Sequence, residues 1–293
     1  MYDIEALYEA ESVGHAIALL EEHPEARIIA GGSDVLIHIR AGKQAGSVLV
    51  SIQKLDALRG VSLKEDGTIR IGALTSFSRL AQDPLILQHL GVLAEAVSLI
   101  GGPQIRNIGT IGGNTCNGVS SADSAATLMA LDAVMEYQGP EGTRLVSIQS
   151  HYVGAGKTAL SHGELLTAIE IPHESYRRCY GQYIKYAMRN AMDIATLGCS
   201  VNVRLTEDMQ ALERVRIGFG VAGPVPIRSP TAEAAVQGKP VGEETVALAG
   251  KVALADVQPR SSWRASRELR LQLVEELTKR ALRCSIRHAG GLI

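Results

Sequence analysis

Two glycine-rich segments are the part of this sequence best suited to binding chemistry. The first is Ala30-Gly31-Gly32-Ser33-Asp34 and the second is Gly109-Thr110-Ile111-Gly112-Gly113-Asn114. Tandem glycines let successive backbone N–H groups converge on an anion, and the missing Cβ atoms leave room for a close ligand. The hydroxyls of Ser33 and Thr110 would add donors. One such segment could be only a tight turn, but two could bracket both phosphates of a diphosphate cofactor.

Two carboxylates accompany these segments. Asp34 ends the first segment, and because a carboxylate repels phosphate, we expect it to fix its own turn by accepting hydrogen bonds from backbone amides. Asp123 precedes a helical pattern and has two interpretations. It is either the N-cap of that helix or a partner for a sugar hydroxyl of the cofactor.

Two further glycine motifs lack the context that their chemistry requires. Gly218 to Gly223 spells GxGxxG, but Pro224-Val225-Pro226 follows it, and proline prevents the helix that should open there to meet a pyrophosphate. Gly154 to Thr158 ends like a P-loop, yet His151 stands where that motif needs its first glycine. We therefore interpret the first as a strand leaving through a proline turn and the second as a surface loop.

Composition excludes several classes of function. The 293 residues include 29 Lys and Arg against 31 Asp and Glu, for a net charge of −2, and 46% are hydrophobic. This is typical of a folded domain and gives no electrostatic case for a nucleic-acid or membrane partner. Aromatic residues make up only 4%, which disfavours base-stacking surfaces. No apolar run approaches the roughly 18 residues that span a bilayer, and no secretory signal is evident, so we expect a cytoplasmic protein.

Metal-binding patterns are also missing from the sequence. The four cysteines are scattered without a CxxC pair, which makes this chain a poor candidate for an iron–sulfur cluster of its own. The eight histidines have no metal-ligand spacing. We expect no metal site in this chain.

Hydrophobic periodicity predicts an α+β fold, because strands and helices are segregated along the chain. Helices are predicted at 12–22, at 85–100 and at 266–283, the last with Ser266 as its cap. Strands are predicted at 165–171 and, beyond a polar stretch at 173–178, in a small antiparallel sheet. We place the domain boundary in that stretch, which divides the chain into residues 1–175 and 176–293.

Several motifs together resemble the FAD-binding subunits of the molybdenum hydroxylases, and most closely those of bacterial three-subunit xanthine dehydrogenases. The resemblance runs in order over essentially the whole chain. It is carried by six stretches, Ala30 to Leu36, Gly102 to Asn107, Thr110 to Asn117, Ser121 to Ser124, Lys185 to Ile194 and Pro259 to Ser266.

This resemblance implies a fold and a set of cofactor contacts. The fold would be a two-part FAD-binding domain of the vanillyl-alcohol-oxidase (PCMH) type, followed by a small α/β C-terminal domain of the CO dehydrogenase flavoprotein type. Asp123 would meet a sugar hydroxyl, Leu166 would lie near the adenine, and Lys185 would approach the flavin. The segment 189–194 would lie over the isoalloxazine, where NAD⁺ docks. The implied cofactor-binding residues are Arg27, Ile28, Ile29, Ala30, Gly31, Gly32, Ser33, Asp34, Gly109, Thr110, Ile111, Gly112, Gly113, Asn114, Asp123, Leu166 and Lys185.

The resemblance also implies a function. The chain would carry FAD, take electrons from the [2Fe–2S] clusters of a partner subunit and reduce NAD⁺, while a molybdenum-cofactor subunit hydroxylates a purine. No catalytic group beyond the flavin would lie in this chain. The segment 261–270, in which Trp263 stands among arginines, either docks a partner or packs on its own core. Two other functions stay open, a free-standing FAD-dependent oxidoreductase of the same fold and a scaffold subunit that has lost FAD.

Overall fold

The computed structural model describes residues 2–293 and begins with a small parallel sheet. Its elements are β1 (Ile4–Glu9), α1 (Val13–Glu22), β2 (Arg27–Ile29), α2 (Val35–Arg40) and β3 (Ser47–Ser51). The strand order is β1-β3-β2, with both pairings parallel. Ser12 caps α1 by accepting a hydrogen bond from the His15 amide at 3.0 Å. The first glycine segment follows the carboxyl end of β2, the end of a parallel strand where ligands commonly bind.

A five-stranded antiparallel sheet forms the larger part of the N-terminal half. The strands of this half, in chain order, are β4 (Val61–Leu63), β5 (Ile69–Gly72), β6 (Val134–Gly139), β7 (Gly142–Ser147), β8 (Tyr152–Gly154), β9 (Lys157–Thr158) and β10 (Leu165–Ile171). The helices are α3 (Phe77–Leu80), α4 (Pro84–His89), α5 (Gly91–Ser98), α6 (Pro103–Ile108), α7 (Ile111–Cys116), α8 (Asp123–Ala130), α9 (Ile148–His151) and α10 (His173–Tyr176). The sheet order is β4-β5-β10-β6-β7, and β8 and β9 form a separate hairpin. Every residue of the central strand β10 is buried.

The C-terminal part is an antiparallel sheet covered by helices. Its elements are β11 (Tyr180–Tyr186), β12 (Leu197–Leu205), β13 (Leu212–Gly220), β14 (Ile227–Arg228), α11 (Pro230–Val236), α12 (Glu243–Ala253) and α13 (Arg267–His288). The strands follow the order β11-β12-β13-β14. Ser266 caps α13 by accepting from the Leu269 amide at 3.2 Å. Short 3₁₀ turns at Asp56–Leu58 and Leu254–Asp256 complete the described elements.

Helix α8 joins the two parts, because it packs on the C-terminal sheet. A Cβ atom on Gly218 of β13 would lie 2.2 Å from the Ala126 carbonyl oxygen of α8, so only glycine permits this approach. Just after α8, the Asp132 carboxylate accepts from Arg214 at 2.8 Å and from Arg216 at 3.0 Å. The first glycine of the GxGxxG motif therefore serves packing between the two parts.

The α+β prediction is confirmed, with local differences. The predicted helix at 85–100 is two helices, because Leu90 (φ −129°, ψ 40°) leaves helical geometry before Gly91. No helix opens at Gly223, as the prolines predicted, and the next helix begins only at Pro230. Gly154 to Thr158 forms the β8–β9 hairpin.

No helix within residues 2–293 is long and apolar enough to cross a membrane.

Candidate functional site

A cavity of about 600 Å³ lies where the two glycine segments meet, within the range of small-molecule sites. Most of the cofactor-binding residues expected from sequence line it. They are Arg27, Ile28, Ala30, Gly31, Gly32, Ser33 and Asp34 from the first segment, Gly109, Thr110, Gly112, Gly113 and Asn114 from the second, and Leu166 from β10. Ile29, Ile111, Asp123 and Lys185 lie outside the lining. Direct contact between a cofactor and any of the expected residues stays a prediction.

Glycine is required where the segments touch. A Cβ atom on Gly31 would lie only 1.9 Å from the carbonyl oxygen of Ile108, which immediately precedes the second segment. Gly32 has φ +74°, a left-handed conformation that branched residues strongly disfavour. A Cβ atom on Gly112 would lie 2.6 Å from the Ala73 Cβ. These close approaches define the shape of the cavity.

Free backbone donors are concentrated in the first segment. Among the hydrogen bonds formed by residues 2–293, none is donated by the amides of Gly31, Gly32, Ser33 or Asp34. Four successive unpaired N–H groups beside a cavity are suited to an anion such as a diphosphate. The first segment thus has the unpaired backbone donors that the predicted anion-binding nest requires.

The second segment differs from that prediction because its amides are already paired. The Ile111 amide donates to Thr75 and the Gly112 amide to Ala73, while those of Gly113 and Asn114 donate to Thr110. The segment folds into the short helix α7 rather than an open loop. It therefore lines the cavity with side chains and closely approaching backbone, and contributes few free amides.

Two side chains of the second segment keep donors available. The Thr110 Oγ1 accepts from the Gly113 amide at 3.1 Å, which leaves its hydroxyl proton free to donate. The Asn114 Oδ1 accepts from the Ser124 hydroxyl at 2.7 Å, which fixes the amide so that its NH₂ group has the donor role. Both residues line the cavity.

Gln44 is a cavity residue that no sequence pattern indicated. It lies in the turn between α2 and β3, and its side-chain Oε1 is buried without a hydrogen-bond donor among residues 2–293. A buried acceptor without a partner is costly, so this atom is suited to a donor on a bound ligand. Together with the unpaired amides, the orphaned oxygen fits a polar cofactor such as FAD.

Asp34 does not behave as expected. Its carboxylate makes no hydrogen bond to any group in the described chain, although the residue occupies the position just before α2. The turn is held instead by backbone bonds, from Leu36 to Gly32 and from His38 to Asp34. The expectation that the Asp34 side chain fixes its own turn was therefore wrong.

Asp123 and Lys185 contact each other. The Asp123 Oδ2 lies 2.7 Å from the Lys185 Nζ, and the Asp123 Oδ1 accepts from the Tyr183 hydroxyl at 2.7 Å. Ala122, not Asp123, is the N-cap of α8, so the capping interpretation was wrong. Burial raises the pKa of the Asp123 carboxyl, while Lys185 and Tyr183 oppose that rise. Lys185 also donates to the Leu99 carbonyl at 3.0 Å, so it connects three elements.

His151 supports the cavity wall from behind. It is fully buried, its Nδ1 contacts the Tyr137 hydroxyl, and its Nε2 lies 3.2 Å from the Thr115 carbonyl oxygen in α7. These partners assign the proton to Nε2 and make Tyr137 the donor to Nδ1. Burial lowers the pKa of His151 to about 4, so the ring is neutral at physiological pH. Sequence spacing could not reveal this role, because its partners are distant along the chain.

The segment 189–194 forms an exposed turn at the edge of the C-terminal sheet. The Arg189 amide donates to Asp193 at 3.0 Å and its guanidinium donates to the Met192 carbonyl at 2.8 Å. The side chain of Met192 is exposed, yet its Sδ would lie 3.5 Å from a Cβ atom built on Gly102. Gly102 begins α6, whose Ile105 lines the cavity. The turn thus lies beside the helix that forms one cavity wall.

Two protein families match the chain. The FAD binding domain in molybdopterin dehydrogenase matches residues 2–174, and the CO dehydrogenase flavoprotein C-terminal domain matches residues 182–285. The chain is 42% identical to the putative xanthine dehydrogenase FAD-binding subunit of Escherichia coli (strain K12), over 99% of both chains. These matches confirm the resemblance expected from the sequence motifs.

Solved structures agree with this assignment. A chain of carbon monoxide dehydrogenase from Hydrogenophaga pseudoflava is similar with a TM-score of 0.92 and 30% identity, covering 97% of this chain and 98% of that one. A chain of quinoline 2-oxidoreductase from Pseudomonas putida 86 has a TM-score of 0.91 and 26% identity, with 99% of both chains covered. The expected fold, an FAD-binding domain followed by a C-terminal domain of the CO dehydrogenase flavoprotein type, is confirmed.

Proposed function

This chain belongs to the family of FAD-binding subunits of the molybdenum hydroxylases, and from that premise we propose that it transfers electrons from a [2Fe–2S] partner subunit to NAD⁺ through FAD. Its xanthine dehydrogenase-like sequence favours a purine as the substrate of the molybdenum subunit. A cytoplasmic location is part of the same proposal.

One observation carries the proposal. The unpaired amides of the first glycine segment and the Thr110 and Asn114 side chains of the second line the same cavity. The amides of Gly31 to Asp34 would hold the diphosphate, and the Thr110 hydroxyl and Asn114 NH₂ would donate from the opposite wall. Leu166 would pack on an apolar part of the cofactor, and Gln44 would accept from a polar donor. When bound, FAD supplies the means to collect single electrons and deliver them in pairs as hydride.

The protein positions the acceptor site through the turn at 189–194. The Asp123–Lys185 pair attaches β11 to α8 and to Leu99, and this turn directly follows β11. The exposed Met192 of this turn and the preceding Met188 give an adaptable apolar surface beside the α6 wall. We propose that NAD⁺ approaches over this turn, and that Arg189 contributes positive charge for the nicotinamide nucleotide's phosphates.

Relatives along the full chain favour a subunit over a free-standing oxidase. One is described as a xanthine dehydrogenase FAD-binding subunit and another as a carbon monoxide dehydrogenase medium chain. The matches cover 99% and 93% of these two relatives, so the proposal rests on similarity along nearly their whole length. We propose a molybdenum-cofactor subunit and a [2Fe–2S] subunit as its partners. The unpaired donors lining the cavity argue against a scaffold that has lost FAD.

Anaerobic reduction tests the proposal. The complex is purified with its partner subunits, and flavin absorbance is followed after addition of xanthine and, separately, of NADH. Both additions are expected to bleach the flavin, and NAD⁺ is expected to restore the absorbance of the xanthine-reduced complex. Bleaching by xanthine with reoxidation by oxygen alone would overturn NAD⁺ as the acceptor. A flavin that xanthine leaves oxidised would overturn the electron-transfer role.

A further inference from the structure

Three arginines and a tryptophan form a basic surface at the start of α13. We define this arginine cluster as Arg260, Trp263, Arg264 and Arg270. The Trp263 ring is 77% exposed, and the Arg264 Cζ lies 4.2 Å from its centroid in a cation–π arrangement. Arg270 is only 3% exposed, and its guanidinium donates to the Arg260 carbonyl and, at 2.8 Å, to the Ser262 hydroxyl. The cluster combines an exposed aromatic surface with a buried cation.

No carboxylate among residues 2–293 neutralises the positive charges of this cluster. Across residues 2–293, no carboxylate lies within 4.0 Å of a guanidinium nitrogen of Arg260, Arg264 or Arg270. The Nε atoms of Arg264 and Arg270 are buried and have no hydrogen-bond acceptor in that part of the chain. Burial lowers the pKa of Arg270, and the neighbouring Arg260 and Arg264 lower it further by repulsion.

The arginines at the junction of the two parts provide a contrast. Arg228 contacts both Asp132 and Glu233, and Arg216 lies 3.0 Å from Asp132. Buried charges are normally paired in this way, because an isolated charge in a low-dielectric site is costly. The same chain thus neutralises one group of arginines and leaves the other without counterions.

Glu268 is the acidic residue nearest in sequence, and its surroundings are different. A hydrogen bond from its own backbone amide and one from the Ser266 hydroxyl lower the pKa of the Glu268 carboxyl, and Arg267 is the arginine that contributes to the shift. Two helix amides at this end are also occupied, because the Arg267 amide donates to the Ser261 hydroxyl and the Leu269 amide donates to the Ser266 hydroxyl. The binding groups available to a partner are therefore the exposed Arg260, the half-buried Arg264 and the indole surface, while the buried Arg270 adds positive charge behind them.

We propose that the arginine cluster docks a carboxylate-bearing segment of a partner subunit, whose Asp or Glu side chain pairs with the guanidinium groups while an adjacent apolar group covers Trp263. This inference rests on the proposed function, since it requires a multi-subunit assembly. Charge complementarity selects an acidic segment, and Trp and Arg are the residues most enriched in interface hot spots. Guanidinium groups also suit bidentate pairing with carboxylates.

The test uses the assembled complex. Trp263→Ala and Arg264→Glu are each expected to raise the dissociation constant between this chain and its partner subunits by tenfold or more. Arg280→Glu, within α13 and paired with Glu276, makes the same charge change away from the cluster and is expected to leave the constant within about twofold. All three variants should keep the FAD content and melting temperature of the isolated chain. Added salt should weaken wild-type assembly more than assembly of Arg264→Glu.

Other outcomes would overturn the inference. Unchanged assembly of Trp263→Ala and Arg264→Glu would show that the partner docks elsewhere, with the proposed function intact. Self-association of the isolated chain that both substitutions abolish would assign the surface to a second copy. Binding of inorganic phosphate that Arg264→Glu removes, without effect on assembly, would assign it to a small anion. A wild-type chain that joins neither a molybdenum nor a [2Fe–2S] subunit would instead contradict the proposed function.

Discussion

Asp123 of α8 and Lys185 of β11 form an ion pair with 2.7 Å between the Oδ2 and Nζ atoms, and their side chains are only 7% and 9% exposed. The resemblance assigns these residues to separate points on the cofactor. In the structure they bind each other and connect the FAD-binding part to the C-terminal sheet. The pair therefore holds together the two parts of the chain that a bound flavin and its electron acceptor would share.

Removing the lysine should reveal the cost of the buried carboxylate. Lys185→Met is expected to lower the free energy of unfolding by about 3–5 kcal/mol at neutral pH, because Asp123 loses its counterion. Burial already raises the pKa of Asp123, and loss of Lys185 raises it further. Because the folded-state pKa of Asp123 is raised, the free energy of unfolding falls as pH rises through that pKa. The difference in unfolding free energy between Lys185→Met and the wild type should therefore shrink as pH is lowered and Asp123 is protonated. Denaturant unfolding across this pH range measures the effect.

An exposed pair of the same length provides the control. Lys54 lies 2.7 Å from Glu9, with both side chains largely exposed. Lys54→Met should lower the free energy of unfolding by less than about 1 kcal/mol, because water screens the pair. Equal losses for Lys54→Met and Lys185→Met would contradict the role given to burial.

Gly31→Ala should weaken the binding of FAD. The added Cβ would overlap the Ile108 carbonyl oxygen and force the glycine segments apart. The FAD dissociation constant is expected to rise at least tenfold, measured by fluorescence titration of the deflavinated chain. Gly91 begins α5, and a Cβ atom built on it would meet no neighbouring group within 4 Å. Gly91→Ala should therefore bind FAD like the wild type. Full FAD retention by Gly31→Ala would mean that this contact does not shape the cofactor site.

Gln44→Leu should separate cofactor affinity from stability. The substitution removes a buried acceptor that lacks a partner in the described chain, so the apoprotein should be as stable as the wild type or more so. FAD affinity should fall by about tenfold, equivalent to the roughly 1–1.5 kcal/mol of one hydrogen bond. Calorimetry of the apoprotein and titration with FAD test the two effects. A less stable apoprotein with unchanged FAD affinity would contradict the assignment.

His151 should make the fold sensitive to acid. Its folded-state pKa of about 4 lies below the ordinary value of 6.5, so between these values the unfolded chain binds a proton that the folded chain does not. The free energy of unfolding should therefore fall by about 3 kcal/mol from this group as pH drops from 6.5 to 4. His151→Gln keeps a neutral polar side chain and should lack this component. If the free energy of unfolding fell equally with pH in the wild type and in His151→Gln, His151 would not be the source of this acid sensitivity.

Local sequence patterns predicted the features whose conformation is set by residues adjacent in sequence. Ser266 caps α13 as expected, and the first glycine segment has the unpaired amides that tandem glycines suggested. The two prolines after Gly223 identified a false dinucleotide motif, because their effect on the backbone is local. These features need no information from distant parts of the chain.

Contacts between residues that are distant in sequence could not be predicted from local patterns. The amides of Gly112 and Ile111 are occupied by Ala73 and Thr75, which the second segment alone does not indicate. Asp123 has the appearance of a cap, but its actual partner lies on a strand of the other part of the chain. Gly218 is required because α8 packs so closely on β13 that a Cβ atom would overlap the Ala126 carbonyl oxygen. In each case, a contact distant in sequence overrides the local pattern.

The central claim is that the two glycine segments enclose the diphosphate of one FAD. A crystal structure of the FAD-loaded chain tests it most directly. We expect diphosphate oxygens within hydrogen-bonding distance of the Gly31 to Asp34 amides, with Thr110 and Asn114 donating from the opposite wall. A diphosphate bound elsewhere, with those four amides still unpaired, would contradict the account.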